Sequence, residues 1–467
     1  MDTGYTLSQV LAVAKVHPFY SPDVEYPPSP EEVQQIVAQT RNGDVDLRRI
    51  PLVTKEKLYQ AISRLSRDLD PKNNYRKSSY ISITGGGSGG LPMLFATDAM
   101  ENRRQRAAAG ALFRACGLIE PSDFVLGMGV SGNFYRALDL LTETIENAGG
   151  NVLCAGHEMS LADVAKAIAH YRVNTIAGDG SQVLQFANYA ASLPTEQRAG
   201  INLTKVIYTS EPLNRAQRAV IKAALGTYVQ ILSALGSAEA GPWAVANPGV
   251  TGEPEEDAMD FIFDRRMMEI EILPPAVLES SSSNGDTNHH TERCPDGEIG
   301  VVIQTSLSRL RNPLLRYVTG DLGSLHPIPE AAKAKLPPAD AAHLRILRLY
   351  GRDRRFSFKW FAEYFEFTRI QKLMRSEGWG ILQWQLVLGR TEVEEISLEV
   401  RMLRSVTKTD EGCVSEGEVE RCLRKFFVVL PMTEHLFSIK WVKDMSEFEK
   451  SSTGAKVMNF VDRAKRE

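Results

Sequence analysis

The sequence predicts an α/β protein: a large N-terminal domain of mixed, mostly parallel sheets carrying a β-rich subdomain, followed by a small α+β C-terminal domain. Three observations lead there. Residues 124–235 alternate short apolar runs with stretches of helical periodicity, the texture turns strand-like after Asn247, and a compact mixed segment begins near Ile346. The expected domains are 1–350, with the β-rich part at about 250–350, and 351–467.

Taken in order, Asp98 opens a helix, with Glu101 three residues on as its capping box. Residues 124–126 form a short strand, 136–147 a helix and 151–154 the next strand. Ser160 caps a helix that runs to His170, with Asp163 completing the box, and further strands are expected at 174–177, 205–208 and 228–232. Repeated units of this kind return the chain to one sheet edge in the same direction, so a parallel sheet covered on both faces follows. Strands at 261–263, 268–273 and 300–305 flank a Ser/Asn/His-rich loop at 279–293. The last domain should hold strands at 356–358, 382–387, 396–401 and 437–441, with a helix over 416–427.

Bulk composition narrows the function. The 467 residues are 43% hydrophobic and 24% charged, as in ordinary soluble globular proteins. A formal net charge of −4 leaves no basic field to neutralise phosphates, which argues against a dedicated nucleic-acid binder. Residues 1–19 lack a signal-peptide core and no run approaches about 18 apolar residues, so neither secretion nor a membrane span is expected. Cys116, Cys154, Cys294, Cys413 and Cys422 are scattered, the usage of reduced thiols in a cytoplasm.

One stretch stands apart: Thr84-Gly85-Gly86-Gly87-Ser88-Gly89-Gly90, followed by Leu91-Pro92. Its backbone N–H groups are unshielded by side chains, and Thr84 and Ser88 add hydroxyl donors, which is the chemistry of a polyphosphate cradle. Gly85, Gly87 and Gly90 satisfy the dinucleotide spacing, yet no helix opens on Gly90 and no acid lies near position 110. Leu91-Pro92 also replaces the Lys-Ser/Thr of a Walker loop. A flexible connector is the bland alternative, though linkers are seldom so compact or so closely framed by apolar residues.

Further motifs follow downstream. They are Ser210-Glu211-Pro212-Leu213, Leu235-Gly236-Ser237-Ala238-Glu239, Arg316-Tyr317-Val318-Thr319-Gly320-Asp321, Leu349-Tyr350-Gly351-Arg352 and Ser452-Thr453-Gly454-Ala455-Lys456. In this order and spacing the chain resembles the adenylate-forming superfamily of acyl-CoA synthetases, aryl-acid ligases and adenylation domains, over nearly its whole length. Its short N-terminal region and Ser-Glu-Pro-Leu segment look most like the phenylacetate–CoA ligase branch.

The resemblance implies an ATP-dependent carboxylic-acid ligase. It would join a small aryl or fatty acid to AMP, release pyrophosphate, and pass the acyl group to CoA or another nucleophile after the mobile C-terminal domain swings. In that scheme Thr84, Gly85, Gly86, Gly87, Ser88, Gly89 and Gly90 hold the β- and γ-phosphates of ATP. Ser210, Glu211, Pro212, Leu235 and Gly236 frame the adenine. Glu239 holds Mg²⁺, Asp321 takes the ribose hydroxyls, Arg352 supports the ribose, and Lys456 reaches the carboxylate and α-phosphate. The chemistry agrees, because two anions must meet and so need a cation, a lysine and backbone amides at the transition state. An amide ligase that does not use CoA, and a non-catalytic nucleotide- or acyl-binding relative, are the alternatives.

Several positions depart from the family pattern. Met93 stands where a Lys or Thr is usual after the glycine loop, and Leu235 and Ala238 replace an aromatic and a threonine. Phe361 replaces the hinge-side glycine that lies near the CoA tunnel in the CoA ligases, which puts CoA use in question. Candidates for the acyl pocket are Ser131, Asn133, Phe134, Tyr135, Gly178 and Asp179, at strand ends where α/β sheets bind ligands. His289, His290 and Cys294 suggest zinc, but adjacent histidines do not fit one compact tetrahedral site and a surface loop is expected instead.

Overall fold

A computed structural model describes residues 4–43, 45–84, 93–132, 134–210, 213, 215–253, 258–275, 277, 292–352, 357–360, 363–391, 395–405, 414–429, 433–451 and 456–464. They form two compact units, the first comprising 1–125, 131–154 and 232–353, the second 126–130, 155–231 and 354–467.

The first unit is built on strands in the order Met268–Leu273, Gly300–Ser306, Tyr317–His326, Leu344–Arg352, Met259–Asp264, Gly241–Ala246 and Gln230–Ser237. Neighbours are antiparallel throughout. The alternation of Met268–Leu273 explains its placement: Met268, Ile270 and Ile272 enter the main core, while Glu271 on the opposite face is buried and held by Arg316 and Arg293. Against that core packs the helix Lys55–Arg67 through Leu58, Ile62 and Leu65, all fully buried. Their i, i+4, i+7 spacing puts three side chains on one stripe, each contributing about 1.5–3 kcal/mol on burial.

The glycine run joins two strands of a hairpin, Ser79–Thr84 and Met93–Asp98, paired from Ser79↔Asp98 to Thr84↔Met93. Helix Ala99–Ala115 starts at once, its N-cap Asp98 accepting from the N–H groups of Met100 and Glu101. The expected capping box is not completed. Glu101 turns its carboxylate instead to the N–H groups of Leu310 and Arg311 and to the Tyr5 hydroxyl. Those amides lie in a buried turn that offers them no ladder partner, so the carboxylate meets a larger need there than at its own helix end.

In the second unit Thr175–Asp179 and Lys205–Thr209 pair in parallel, among the helices Leu161–Tyr171, Gly180–Ser192 and Arg215–Leu225. Its C-terminal part is a sheet in the order Phe437–Val442, Ile396–Arg404, Ile381–Arg390, Phe460–Asp462, covered by the helix Glu416–Phe426. Val419 and Leu423 of that helix are fully buried with Phe358, Trp360, Leu398 and Val400. The Gln217 side chain donates to the carbonyl of Leu382, tying the helix Arg215–Leu225 to this sheet. The expected α/β class, with its β-rich part and separate C-terminal sheet, is the observed one. Among the described residues no helix is long and apolar enough to cross a membrane.

Candidate functional site

Two clusters gather the expected residues, one in each unit. In the first, the glycine hairpin backs onto the turn at 238–240, where Ser82 Oγ donates to Phe95 O at 3.3 Å and to Ala238 O at 3.4 Å. Residues Gly85, Gly86, Gly87, Ser88, Gly89 and Gly90 lie outside the described residues, and Thr84 is placed by its backbone at the end of the strand. Its partner Met93 packs half-buried against the main core, which explains an apolar residue at the base of the loop.

Gln230–Ser237 and Gly241–Ala246 form the hairpin that presents Glu239. Leu235 pairs with Ala244 and lies half-buried on the core, and a Cβ at Gly236 would come within 2.8 Å of the Gly241 carbonyl oxygen. Glu239 itself is 6% exposed. Its Oε1 accepts from the Tyr59 hydroxyl at 2.6 Å and from the Tyr317 hydroxyl at 3.5 Å. Arg309 donates to the carbonyls of Ala238 at 3.0 Å and Glu239 at 2.5 Å, and to Gln105 Oε1 at 3.0 Å, while Gln105 donates to Ala240 O at 2.6 Å. Three successive carbonyls are thus pinned by two buried side chains. Burial lowers the Arg309 guanidinium to about 10, opposed by Glu101 and Glu239, so it stays cationic at neutral pH.

Glu239 fits a magnesium ion. One oxygen is already hydrogen-bonded, and among the described residues Oε2 accepts no hydrogen bond. A single carboxylate completed by phosphate and water oxygens is a donor set that magnesium uses. Asp321 stands opposite Arg352 in the strand register and donates its N–H to Thr319 Oγ1 at 3.0 Å; only the backbone of Arg352 is described. Ser131 and Tyr135 belong to a tight two-residue hairpin whose tip, Phe134, has φ +67° and is 69% exposed.

In the second unit Asp179 ends the strand Thr175–Asp179 and is 3% exposed. It caps the next helix reciprocally: its carboxylate accepts from the Gln182 N–H, and its own N–H donates to Gln182 Oε1 at 2.8 Å. A Cβ at Gly178 would come within 2.8 Å of that same oxygen. Ser210, with φ +73°, follows the strand Lys205–Thr209, and its hydroxyl is hydrogen-bonded to Asp179. Burial pushes the Asp179 carboxyl above its ordinary range, opposed by the Lys456 ammonium, the Ser210 hydrogen bond and His157. The Ser451 N–H donates to Lys456 O at 2.7 Å, and the Lys456 N–H donates to Ser451 Oγ at 3.3 Å. Asp179 thus interacts with Ser210, and the charge of Lys456, from a third motif, acts on the same carboxyl.

Glu211, Pro212, Asn133, Phe361, His289 and His290 lie outside the described residues. Sequence reasoning missed Tyr59, Gln105 and Arg309. None of the three left a distinctive signal in the sequence; Arg309 lies in the mixed stretch Ser308-Arg309-Leu310-Arg311.

No protein-family model matches the chain. It is 29% identical over 224 residues to the indoleacetate–lysine synthetase of Pseudomonas savastanoi, a match covering 46% of this chain and 46% of that protein, so it spans about half the relative's length. Among solved structures, 2-hydroxyisobutyryl-CoA ligase in the postadenylation state aligns with TM-score 0.62 at 17% identity, over 97% of this chain and 87% of that one. Its open conformation with 2-HIB-AMP and CoA aligns with TM-score 0.53 at 17% identity, over 97% and 89%. The chain has the adenylate-forming ligase fold.

Proposed function

We propose that, on this fold, the protein is an ATP-dependent carboxylic-acid ligase that forms an acyl adenylate and transfers the acyl group to a second nucleophile. The observation that carries the reading is the buried turn at Glu239, clamped in place and backed by the glycine hairpin. A phosphate loop and a cation-holding acid on one rigid frame are what polyphosphate binding requires. When bound, Mg²⁺ would offset charge on the phosphate oxygens. The chain's own groups do the rest.

The N–H groups from Thr84 to Gly90 hold the β- and γ-phosphates, and Ser210, Glu211, Pro212, Leu235 and Gly236 border the adenine. Asp321 accepts from the ribose diol with Arg352 alongside. Lys456 draws the substrate carboxylate and the α-phosphate together, so an oxygen of the acid attacks phosphorus as pyrophosphate departs. The candidates for contacting the acyl group are Ser131, Phe134 and Tyr135 in the first unit and Gly178 and Asp179 in the second. In this reading residues 1–350 act as the substrate-binding domain and 351–467 as the lid.

Two acceptors are supported by different observations. The fold neighbour is named for CoA, whereas the sequence relative is named for lysine, which favours an amine. The decisive measurement is acid-dependent exchange of labelled pyrophosphate into ATP over a panel of aryl and fatty acids, indoleacetate and 2-hydroxyisobutyrate included. Exchange with one acid class is expected, falling about 100-fold or more in Lys456→Ala and Asp321→Ala. No exchange with any acid would remove the ligase reading. Supplying CoA or lysine in turn, and seeing which is consumed, assigns the acceptor.

A further inference from the structure

We infer that Tyr59 is a positioning residue for the cation ligand: its hydroxyl occupies Glu239 Oε1 and so presents Oε2 to the divalent metal of a bound nucleotide. The inference rests on the reading that Glu239 holds that metal. Arg309 and Gln105 already pin the carbonyls of residues 238–240, so the freedom left to Glu239 lies in its side-chain torsions. Two hydroxyls reach Oε1, and that of Tyr59, at 2.6 Å against 3.5 Å for Tyr317, makes the stronger bond. Tyr59 is itself held on a helix anchored by Leu58, Ile62 and Leu65, with the Lys55 ammonium 5.0 Å from its ring centroid. The ring lies in the main core, where a phenylalanine would pack equally well; the hydroxyl is what the carboxylate uses. Ligating carboxylates are commonly oriented by such hydrogen bonds, and losing one weakens metal binding about 10–100-fold.

The test is Mn²⁺ binding in the presence of ATP, followed by the electron-spin-resonance signal of free Mn²⁺, with metal-free ATP binding measured by dialysis. Tyr59→Phe should weaken Mn²⁺ binding about tenfold while leaving metal-free ATP binding within about twofold. Tyr317→Phe should have the smaller effect, and Glu239→Gln the largest. A purely structural tyrosine would lower the melting temperature of Tyr59→Phe and leave Mn²⁺ affinity unchanged, which overturns the inference. So does a larger loss in Tyr317→Phe, a variant that keeps the question answerable should Tyr59→Phe not fold. Wild-type Mn²⁺ affinity in Glu239→Gln would instead show that the metal reading itself had failed.

Discussion

Glu239 in the first unit and Asp179 in the second are both buried carboxylates at or just past the end of a strand, and they are held in opposite ways. Glu239 depends on residues far away in the chain, Tyr59 lying 180 positions before it and Tyr317 lying 78 after. Asp179 is fixed mainly by its own helix, through Gln182 three residues on, and then faces Ser210 and Lys456. A long-range frame fixes one geometry and resists change. A local cap leaves the carboxylate oriented whatever the rest of the chain does, and its remaining capacity open to a cation.

The largest expected effect is at Arg309. Arg309→Met keeps the bulk but strips the carbonyls of Ala238 and Glu239 of their donor, and urea unfolding should show a loss of about 3–4 kcal/mol. Next comes Glu101 in the same frame, whose carboxyl burial raises to about 7, with the Leu310 and Arg311 amides opposing the shift. The folded protein then keeps a proton that the unfolded chain has released between pH 4.5 and about 7. Stability should therefore fall as pH rises through that window, by on the order of 3 kcal/mol, and level off above it. In Glu101→Gln the slope should vanish; an unchanged slope would assign it to another group.

The smallest effect belongs to the local site. Asp179→Ala removes a cap worth about 1 kcal/mol but also relieves the cost of burying a carboxylate, so a net change under about 1 kcal/mol is expected. A loss as large as that of Arg309→Met would erase the distinction between the two sites.

Periodicity and caps made much of this fold legible. The strands at Asn151–Cys154 and Lys205–Thr209 and the helix opened by Ser160 agree with the reading to within a residue, because apolar spacing and N-cap chemistry are local. Glu101 shows where local rules fail: a capping-box sequence gave way to two buried amides more than 200 positions distant. Leu235 and Met93 looked like lost ligand contacts and prove to be partly buried against the core, a role that no single-sequence pattern distinguishes.

Local sequence was enough for the α/β class, the order of the motifs and the helix caps at Asp98 and Ser160. Tertiary structure alone decided which donors reach Glu239. Burial favours polar groups that find a partner, but the choice among partners depends on which distant side chains the packed core carries to them. Tyr59, Gln105 and Arg309 meet at that turn because helices and strands remote in sequence converge there.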